Sequence, residues 1–292
     1  MESSEIRPYQ QQTFYRILEP GKVHFDYGPV SMVVIASAGG QPLTELCCEA
    51  FKVIDAALRE ISAALPVLRR YPADIGGSAL SGIPLKMLES VIAVGEPTLT
   101  PMAAVAGAVA DSVADWLFAR NADRVLVNNG GDIALRLGPE ESVRVGIISS
   151  LISGEINKVV EITAKDGIGG IATSGLGGRS FTRGVSEGVT AFAKSAVLAD
   201  ALATHLANVS YIPSPRVFTE KAGILDPASD IKDLEVVIGK DTLTNEEVKR
   251  SLEQVREEAL RQMQMGNLLS LQVSVESMTF SLNIPENHTQ NL

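Results

Sequence analysis

The stretch RVLVNNGGDIALRLG, residues 124–138, contains two short apolar segments joined by a turn. Apolar residues alternate with others on each side, which is typical of two β-strands in a hairpin. Asparagine and glycine tolerate positive φ angles, so the residues at the centre predict a tight turn. A turn does not require the aspartate that follows it, Asp132. This carboxylate is therefore either a polar edge of the hairpin or a functional group, and its neighbours in the chain decide which.

The composition is that of a soluble globular protein with a substantial core. The chain has 292 residues, of which 45% are hydrophobic and 21% are charged. Its net charge of −10 argues against binding to nucleic acid or to an anionic membrane, because both require a basic surface. The N-terminus lacks a basic and apolar leader, and no apolar run approaches the roughly 20 residues that span a bilayer. We expect a cytoplasmic protein without nucleic-acid or membrane partners.

Short strands and helices alternate along the chain. Besides the hairpin, alternating apolar patterns predict strands at 13–18, 23–27, 32–36, 142–148, 158–164, 171–174, 189–194, 269–275 and 278–282, and a short strand from 236. Helical patterns occupy 43–65, a segment from 101, 195–208 and 244–266, whereas glycines and prolines predict mixed loop and short helix over 71–97. This order lacks a strict βαβ rhythm and favours an α+β fold, with helices layered on antiparallel or mixed sheets. We expect one unit over residues 1–284 and a polar, frayed tail at 285–292.

Two of the helices have recognisable starts. Thr100 is a suitable N-cap and Pro101 suits the first helical position, while Thr244 and Glu247 have the spacing of a capping box. The helix from 101 is rich in alanine and glycine between residues 103 and 110. Such small residues allow either tight packing or the close approach of a ligand.

The segment DGIGGIATSGLGGRSFTRG, residues 166–184, is rich in glycine and contains two arginines. Glycine allows backbone N–H groups to converge on an anion such as a phosphate, and Gly-x-Gly-Gly occurs twice here. The spacing matches neither the Rossmann nor the P-loop pattern. Arg179 and Arg183 favour an anion site, since guanidinium groups bind phosphate and carboxylate with two hydrogen bonds. The alternative is that the glycines serve only the turns.

Asp200 and Thr204 lie four residues apart in SAVLADALATHLAN, residues 195–208, so they share one face of a helix. One carboxylate with a neighbouring hydroxyl suits Mg²⁺, which also takes phosphate oxygens from a substrate. The alternative is an ordinary solvated helix face. His205 points away from this pair by helical phase, and we expect it to pack or to face solvent.

The residues give less support to other kinds of catalytic or metal site. Asp111 and Asp115 share a helix face and form either a carboxylate pair or a hydrophilic edge. Ser174 is not part of a nucleophile elbow. Cys47 and Cys48 are adjacent, which suits neither a zinc site nor a disulfide framework, so we expect a buried structural role.

Three segments, taken in order, resemble a known family. They are PMAAVAGAVADSVADWL (101–117), VLVNNGGDIAL (125–135) and GIATSGLGGRSFTRG followed by VTAFAKSAVLADALATHLAN (170–208). Their order and content resemble the ApbE-like superfamily, which includes flavin transferases, and within it the UPF0280 branch. ILDPASDIKDLEVV (224–237) also fits that branch. The resemblance covers roughly residues 13–275 and implies an ApbE-like α+β fold.

In the flavin transferases of this superfamily, Mg²⁺ and the phosphates of FAD meet at characteristic motifs. The resemblance implies a metal site at Asp200 and Thr204 with a backbone carbonyl near Val105, and Mg together with FAD or FMN as cofactors. It implies catalytic roles for Asp132 and Asp200. The implied ligand-binding residues belong to the Gly-Gly-Asp motif, the Thr-Ser-Gly motif and the loop that follows: Asn129, Gly130, Gly131, Thr173, Ser174, Gly175, Gly177, Gly178, Arg179 and Arg183.

Two departures separate this chain from the transferases. They carry a lysine where this chain has Ala106, and a His-x-x-Asp-Pro segment that is missing here, where Arg179 and Arg183 occur instead. Three functions stay open. The first is binding of a phosphate-bearing or other anionic ligand, with Mg-dependent transfer or hydrolysis of FAD or FMN. The second is an enzyme of another class that acts on a small anionic metabolite. The third is a non-catalytic binding or assembly module, for example a homo-oligomer.

Overall fold

The computed structural model describes residues 14–76, 80–148, 150–154, 156–285 and 290–291. Its strands are β1 (Tyr15–Glu19), β2 (Lys22–Tyr27), β3 (Val30–Ala38), β4 (Gln41–Pro42), β5 (Arg124–Asn129), β6 (Asp132–Leu137), β7 (Ser142–Ile148), β8 (Ile156–Thr163), β9 (Gly170–Ser174), β10 (Gly188–Ala193), β11 (Val217–Lys221), β12 (Glu235–Lys240), β13 (Ser270–Val275), β14 (Met278–Leu282) and β15 (Gln290–Asn291). Its helices are α1 (Thr44–Glu49), α2 (Phe51–Leu68), α3 (Pro72–Ile75), α4 (Gly82–Val94), α5 (Val105–Phe118), α6 (Ala196–Val209), α7 (Ala222–Leu225) and α8 (Asn245–Gln264).

One large sheet organises these elements. Its strand order is β1-β2-β3-β5-β6-β9-β10-β13-β14, with β4 paired to β3. Two smaller sheets contain β11 with β12, and β15 with β8 and β7. Every strand pair within the described residues is antiparallel. The predicted α+β class is confirmed, and of the two predicted sheet types the antiparallel one is present.

The large sheet is covered on both faces at its centre. The main core packs α2, α4, α5, α6 and α8 against one face, through buried side chains such as Ile54, Val113 and Leu202. On the other face, Leu135 and Phe192 of the central strands pack against the sheet of β7 and β8, through side chains such as Val160. This three-layer arrangement explains why the central strands β10 and β13 are buried along their whole length. No helix in the described ranges is long and apolar enough to cross a bilayer.

Several predicted boundaries differ from the structure. The helix predicted over 43–65 is interrupted at Ala50, where α1 ends and α2 begins. Residues 71–97, predicted as mixed loop and short helix, contain the four-residue helix α3 and the 13-residue helix α4. Its glycine and proline residues lie at the ends, where they are compatible with a helix: Pro84 is in the first turn, and Gly95 ends the helix with φ of 81°.

Thr100 and Pro101 occupy the predicted N-cap and first helical positions, but these belong to a short 3-10 turn, and the Thr100 side chain makes no capping hydrogen bond. Residues Pro101–Ala104 form a short 3-10 turn, and α5 starts only at Val105. The Thr100 hydroxyl donates a hydrogen bond to Asp230 rather than capping a helix. By contrast, the capping box of Thr244 and Glu247 at the start of α8 is confirmed.

The C-terminal residues 285–292 were expected to fray. Gln290 and Asn291 instead pair with Val159 and Lys158 of β8, so these two residues extend a small sheet. Residues 286–289 and 292 lie outside the described part of the chain, as does Thr13 of the first predicted strand. The treatment of residues 1–284 as one unit stays a prediction.

Candidate functional site

A cleft with two lobes lies where α5 and α6 meet the hairpin of β5 and β6. Each lobe encloses about 390 Å³. The lobes share five polar side chains, which therefore mark their junction: Asp132, Arg179, Ser180, Asp200 and Thr204. Lobe 1 extends towards the segment 226–234, and lobe 2 towards the glycine-rich turn 175–178. The cleft thus brings together sequence motifs that are far apart in the chain.

The tip of the hairpin places Asp132 in this cleft. Asn129 pairs with Asp132 across a two-residue turn, in which Gly130 and Gly131 have φ of 68° and 117°. The Asn128 side chain accepts a hydrogen bond from the N–H of Gly131 at 2.8 Å, which stabilises the turn. The two glycines and Asn128 thus account for the turn and leave Asp132 free to face the cleft.

Asn129 connects the hairpin to helix α5. Its side-chain amide donates to the carbonyl oxygen of Ala106 at 3.1 Å. Asn129 and Gly130 line lobe 2, whereas Gly131 is exposed and lies outside both lobes. The predicted ligand-binding role of Gly131 therefore has no support from the shape of the cleft.

Helix α6 contributes a polar stripe. Asp200, Thr204 and Asn208 follow one another at four-residue steps, and all three line lobe 1. The Asp200 carboxylate accepts the backbone N–H of Gly107 at 2.9 Å, in the first turn of α5. Such a bond satisfies one of the donors that a helix start leaves free. Asp200 therefore has one structural partner and also faces the cleft.

The electrostatics of the cleft are unusual because two carboxylates meet there. Burial raises the pKa of Asp132 to about 7, against the opposing effects of the Arg179 charge and a hydrogen bond from the Thr173 N–H. Burial, followed by the nearby charge of Asp132, raises the pKa of Asp200 well above its ordinary range. Within the described residues, no basic side chain forms an ion pair with Asp200. A cation in the cleft would favour the ionised form of both groups.

The glycine-rich turn forms one wall of lobe 2. Thr173, Ser174, Gly175, Gly177 and Gly178 all line this lobe. Gly175 and Gly177 have φ of 148° and 86°, and a Cβ on Gly175 would lie 2.9 Å from the Ser186 carbonyl oxygen. Glycine is therefore required here by the backbone itself, and its use does not by itself demonstrate an anion site.

The two predicted arginines occupy different parts of the cleft. Arg179 is exposed, and its guanidinium lies against Gly130, where a Cβ would come within 2.6 Å of Nη2. Arg183 lines lobe 1, and its Nη1 donates to the Thr98 hydroxyl at 3.0 Å. The Arg183 backbone N–H donates to the Asn208 side chain at 2.8 Å. Arg179 thus lies at the junction of the lobes, and Arg183 is held in lobe 1.

Several lining residues were not predicted from the sequence. They include Thr98, Ser180, Phe181, Asn208, Asp226 and Asp230. The four-residue step from Thr204 is a pattern that could have identified Asn208. Thr98 and Asp230 carry no such local pattern, because only the folded chain brings them to the cleft.

The donor set at the junction fits a hard cation such as Mg²⁺. Asp132, Asp200 and Thr204 offer carboxylate and hydroxyl oxygens, and Val105 lines both lobes at the start of α5. Among the described residues, no group of three or more His, Cys, Asp or Glu side chains is arranged around a metal position. A metal ion at this junction would therefore take few ligands from the protein, and a substrate would complete its coordination.

The remaining candidates lie outside the cleft. His205 is buried and its Nε2 lies 2.8 Å from Glu258 of α8, in agreement with a packing role. Asp111 is buried and paired with Arg136, so it is not part of a hydrophilic edge. Cys47 is buried, and burial raises the pKa of its thiol to about 11, which fits a structural role.

Comparisons with known proteins agree with these motifs. A UPF0280 protein of Methanocaldococcus jannaschii is 32% identical over 141 residues, which are 48% of this chain and 55% of that protein. A UPF0280 protein of Methanopyrus kandleri is 33% identical over 164 residues, which are 53% of this chain and 65% of that protein. The matched region spans less than two thirds of the length of these relatives.

Solved structures of ApbE proteins are similar over most of the chain. The ApbE protein of Thermotoga maritima is 13% identical, with a TM-score of 0.47, over 94% of this chain and 97% of that one. The flavinyl transferase ApbE of Pseudomonas stutzeri, in its apo form, is 14% identical, with a TM-score of 0.46, over 91% of this chain and 97% of that one. A family model described as AbpE bacteria matches residues 15–279, and the predicted ApbE-like, UPF0280-type assignment is confirmed. The chain therefore belongs to the AbpE bacteria family.

Proposed function

We propose that this chain binds a flavin nucleotide, FAD or FMN, together with Mg²⁺ in the two-lobed cleft, and that it transfers or hydrolyses the phosphate-bearing part. The observation that carries the proposal is the junction of the lobes. There two carboxylates, Asp132 and Asp200, face one space together with Arg179 and Thr204. The names of ApbE relatives as flavin transferases support the same ligand class.

The residues that would hold the metal are Asp200 and Thr204, with Val105 beside them at the start of α5. Asp200 is already oriented by its hydrogen bond from Gly107, so one carboxylate oxygen is fixed before any ligand arrives. Bound Mg²⁺ would neutralise charge on the phosphate oxygens of the ligand and orient them. Because Asp200 lacks a basic partner in the described residues, a cation also compensates a charge that the fold leaves unbalanced.

The residues that would hold the phosphates are Arg179 and the turn at Gly175–Gly178. Arg179 is exposed, and its guanidinium group carries five N–H donors that can bind two phosphate oxygens at once. The glycine turn presents backbone without side chains to lobe 2. Phe181, at the rim of lobe 1, offers an aromatic face to a planar ring.

Asp132 is the residue best suited to move a proton. Its pKa of about 7 lies near neutral pH, where a general base both accepts and releases a proton. Among the described residues no histidine side chain competes for this role. His205 faces Glu258, and His24 contacts Ser31.

The test is incubation of the purified protein with FAD and MgCl₂, followed by chromatography for FMN and AMP and by in-gel fluorescence for a flavin-labelled acceptor protein. We expect Mg-dependent products with the wild type and their loss in Asp200→Ala. Asp241→Asn, which changes an exposed carboxylate outside the cleft, is the matched control. Equal product formation by wild type and Asp200→Ala, or none by either, would overturn the proposal.

A second candidate is an enzyme that acts on a small anionic metabolite. It is favoured by Arg183, whose position in lobe 1 is fixed by Thr98 and Asn208 before any ligand binds.

Thermal unfolding distinguishes the two candidates. A ligand that binds the native state raises the unfolding temperature. The flavin proposal predicts stabilisation by FAD with Mg²⁺, whereas the second candidate predicts stabilisation by small dicarboxylic acids and not by FAD. Loss of the dicarboxylate effect in Arg183→Gln would assign it to lobe 1.

A further inference from the structure

Helices α5 and α6 cap each other. At the start of α5, the N–H of Gly107 donates to Asp200 of α6 at 2.9 Å. At the start of α6, the N–H of Val197 donates to Asp111 of α5 at 2.8 Å. Neither helix receives a hydrogen bond from its own N-cap side chain, Ala104 or Ser195. We call these two bonds the reciprocal caps.

The contact between the two helices leaves no room for either to slide. A Cβ on Gly107 would lie 2.2 Å from the carbonyl oxygen of Ala196 and 2.8 Å from the backbone nitrogen of Val197. The backbones therefore touch at the point between the reciprocal caps. This backbone contact is therefore shared by the two caps.

The two capping carboxylates differ in how their charge is compensated. Arg136 pairs with Asp111 at 2.9 Å and with Asp115 at 2.7 Å, and it also donates to the carbonyl oxygen of Gly169 at 3.1 Å. Asp200 has no such arginine in the described part of the chain and faces the cleft. One cap is therefore part of an ionic cluster with Arg136, and the other lies in the cleft without a basic partner in the described residues.

We propose that Asp111, held by Arg136, is a positioning residue that fixes Asp200 and Thr204 in the cleft by anchoring the start of α6. Asp111 lies outside both lobes and touches no ligand. Asp111 acts on α6 through the hydrogen bond that it accepts from the Val197 N–H, one turn before Asp200. The effect on metal binding rests on the proposed function, whereas the coupling between the reciprocal caps does not.

Hydrogen exchange tests the coupling without any ligand. Asp111→Ala removes the cap of α6. We expect exchange at Ala106 and Gly107, which Asp200 caps from the other helix, to rise at least about fivefold, the size of effect of losing one cap. Asp111→Asn keeps an acceptor oxygen and is expected to show a smaller rise. Asp115→Asn removes the other carboxylate partner of Arg136 without touching α6 and is the matched control.

Exchange in α8 serves as the reference for global unfolding, because a general loss of stability raises exchange there as well. If Asp111→Ala does not fold, exchange at Ala106 and Gly107 is compared between Asp111→Asn and Asp115→Asn, and a larger rise in Asp111→Asn supports the coupling. Exchange at Ala106 and Gly107 within about twofold of wild type, in the folded Asp111 variants, would overturn the coupling.

Calorimetric titration with Mg²⁺ in the presence of FAD tests whether Asp111 affects metal binding in the cleft. We expect Asp111→Ala to weaken Mg²⁺ binding by about fivefold or more, Asp111→Asn to weaken it by a smaller factor, and Asp115→Asn to leave it within about twofold. Raised exchange with unchanged Mg²⁺ affinity would overturn the positioning role. If wild type binds neither Mg²⁺ nor FAD, the proposed function fails, while the exchange experiment still decides whether Asp111 positions Asp200.

Discussion

Replacing Asp132 by asparagine is expected to stabilise the ligand-free protein at neutral and alkaline pH. The unfolded chain releases the Asp132 proton near the ordinary pKa of 3.8, whereas burial holds the pKa in the folded protein at about 7. Between these values the folded state binds more protons than the unfolded state. Its stability therefore falls as the pH rises from about 4 to about 7, and the penalty is fully present above pH 7.

The size of the effect follows from the same pKa values. One pKa unit corresponds to about 1.4 kcal/mol, so a rise from 3.8 to about 7 corresponds to roughly 4 kcal/mol. This is an upper bound for two reasons. Arg179 loses its charged neighbour in the variant, and the protonation of Asp132 depends on that of the nearby Asp200. Asparagine retains an oxygen that accepts the Thr173 N–H. We therefore expect Asp132→Asn to raise the free energy of unfolding by about 2–4 kcal/mol at pH 8 and to change it little at pH 4.

Urea unfolding at pH 4, 6 and 8, with and without Mg²⁺, measures this difference. Asp241→Asn, in which an exposed carboxylate is changed, controls for the loss of one negative charge. Saturating Mg²⁺ is expected to stabilise wild type more than Asp132→Asn, since the cation favours the ionised carboxylates. A variant that is no more stable than wild type at pH 8, or a gain of equal size at all three pH values, would refute the reasoning.

Three further substitutions test the packing and the caps by thermal unfolding. Gly107→Ala is expected to destabilise by about 3 kcal/mol or more, because its Cβ would meet the Ala196 carbonyl oxygen at 2.2 Å. Gly239→Ala is the control, because its Cβ would meet only the Phe218 ring, at an ordinary contact distance of 3.9 Å. Thr244→Ala removes the capping box of α8 and is expected to cost about 1 kcal/mol. Asp200→Ala removes the acceptor for the Gly107 N–H and is expected to abolish stabilisation by Mg²⁺. A variant still stabilised by Mg²⁺ would place the metal elsewhere.

Elements with a strong local pattern were predicted close to their observed positions. The strand predicted at 142–148 coincides with β7, and the strand predicted at 278–282 coincides with β14. The capping box at Thr244 places the start of α8 correctly, because both of its hydrogen bonds form within one turn. The α+β class follows from the same local patterns.

Elements with a weak local pattern were not predicted well. The length and bounds of helix α4 were not predicted, because its glycine and proline residues resemble those of a loop, and their compatible positions at the helix ends are visible only in the structure. Thr100 has the residue type of an N-cap, yet its hydroxyl bonds to Asp230, a residue 130 positions away. No pattern near Thr100 in the sequence contains that partner.

The sequence likewise indicated some features of the candidate site and not others. Motifs in the sequence suggested Asp132, Asp200, Thr204 and Arg179, and the structure places all four at one junction. The sequence did not reveal that Asp111 is buried and that it caps α6, because its spacing to Asp115 fitted a hydrophilic helix edge equally well. The partners that distinguish these alternatives, Arg136 and Val197, come from other elements.

The sequence by itself determined the local features: the tight hairpin turn before Asp132, the helix that carries Asp200 and Thr204, and the glycine turn before Arg179. These depend on periodicity, on φ preferences and on hydrogen bonds within a few residues. Only the tertiary structure decided the environment of each carboxylate. The bond from Gly107 to Asp200 joins residues 93 positions apart. The raised pKa of Asp132 and that of Asp200 arise from burial, and for Asp200 also from the nearby charge of Asp132, and both causes exist only once the helices and the hairpin have packed together.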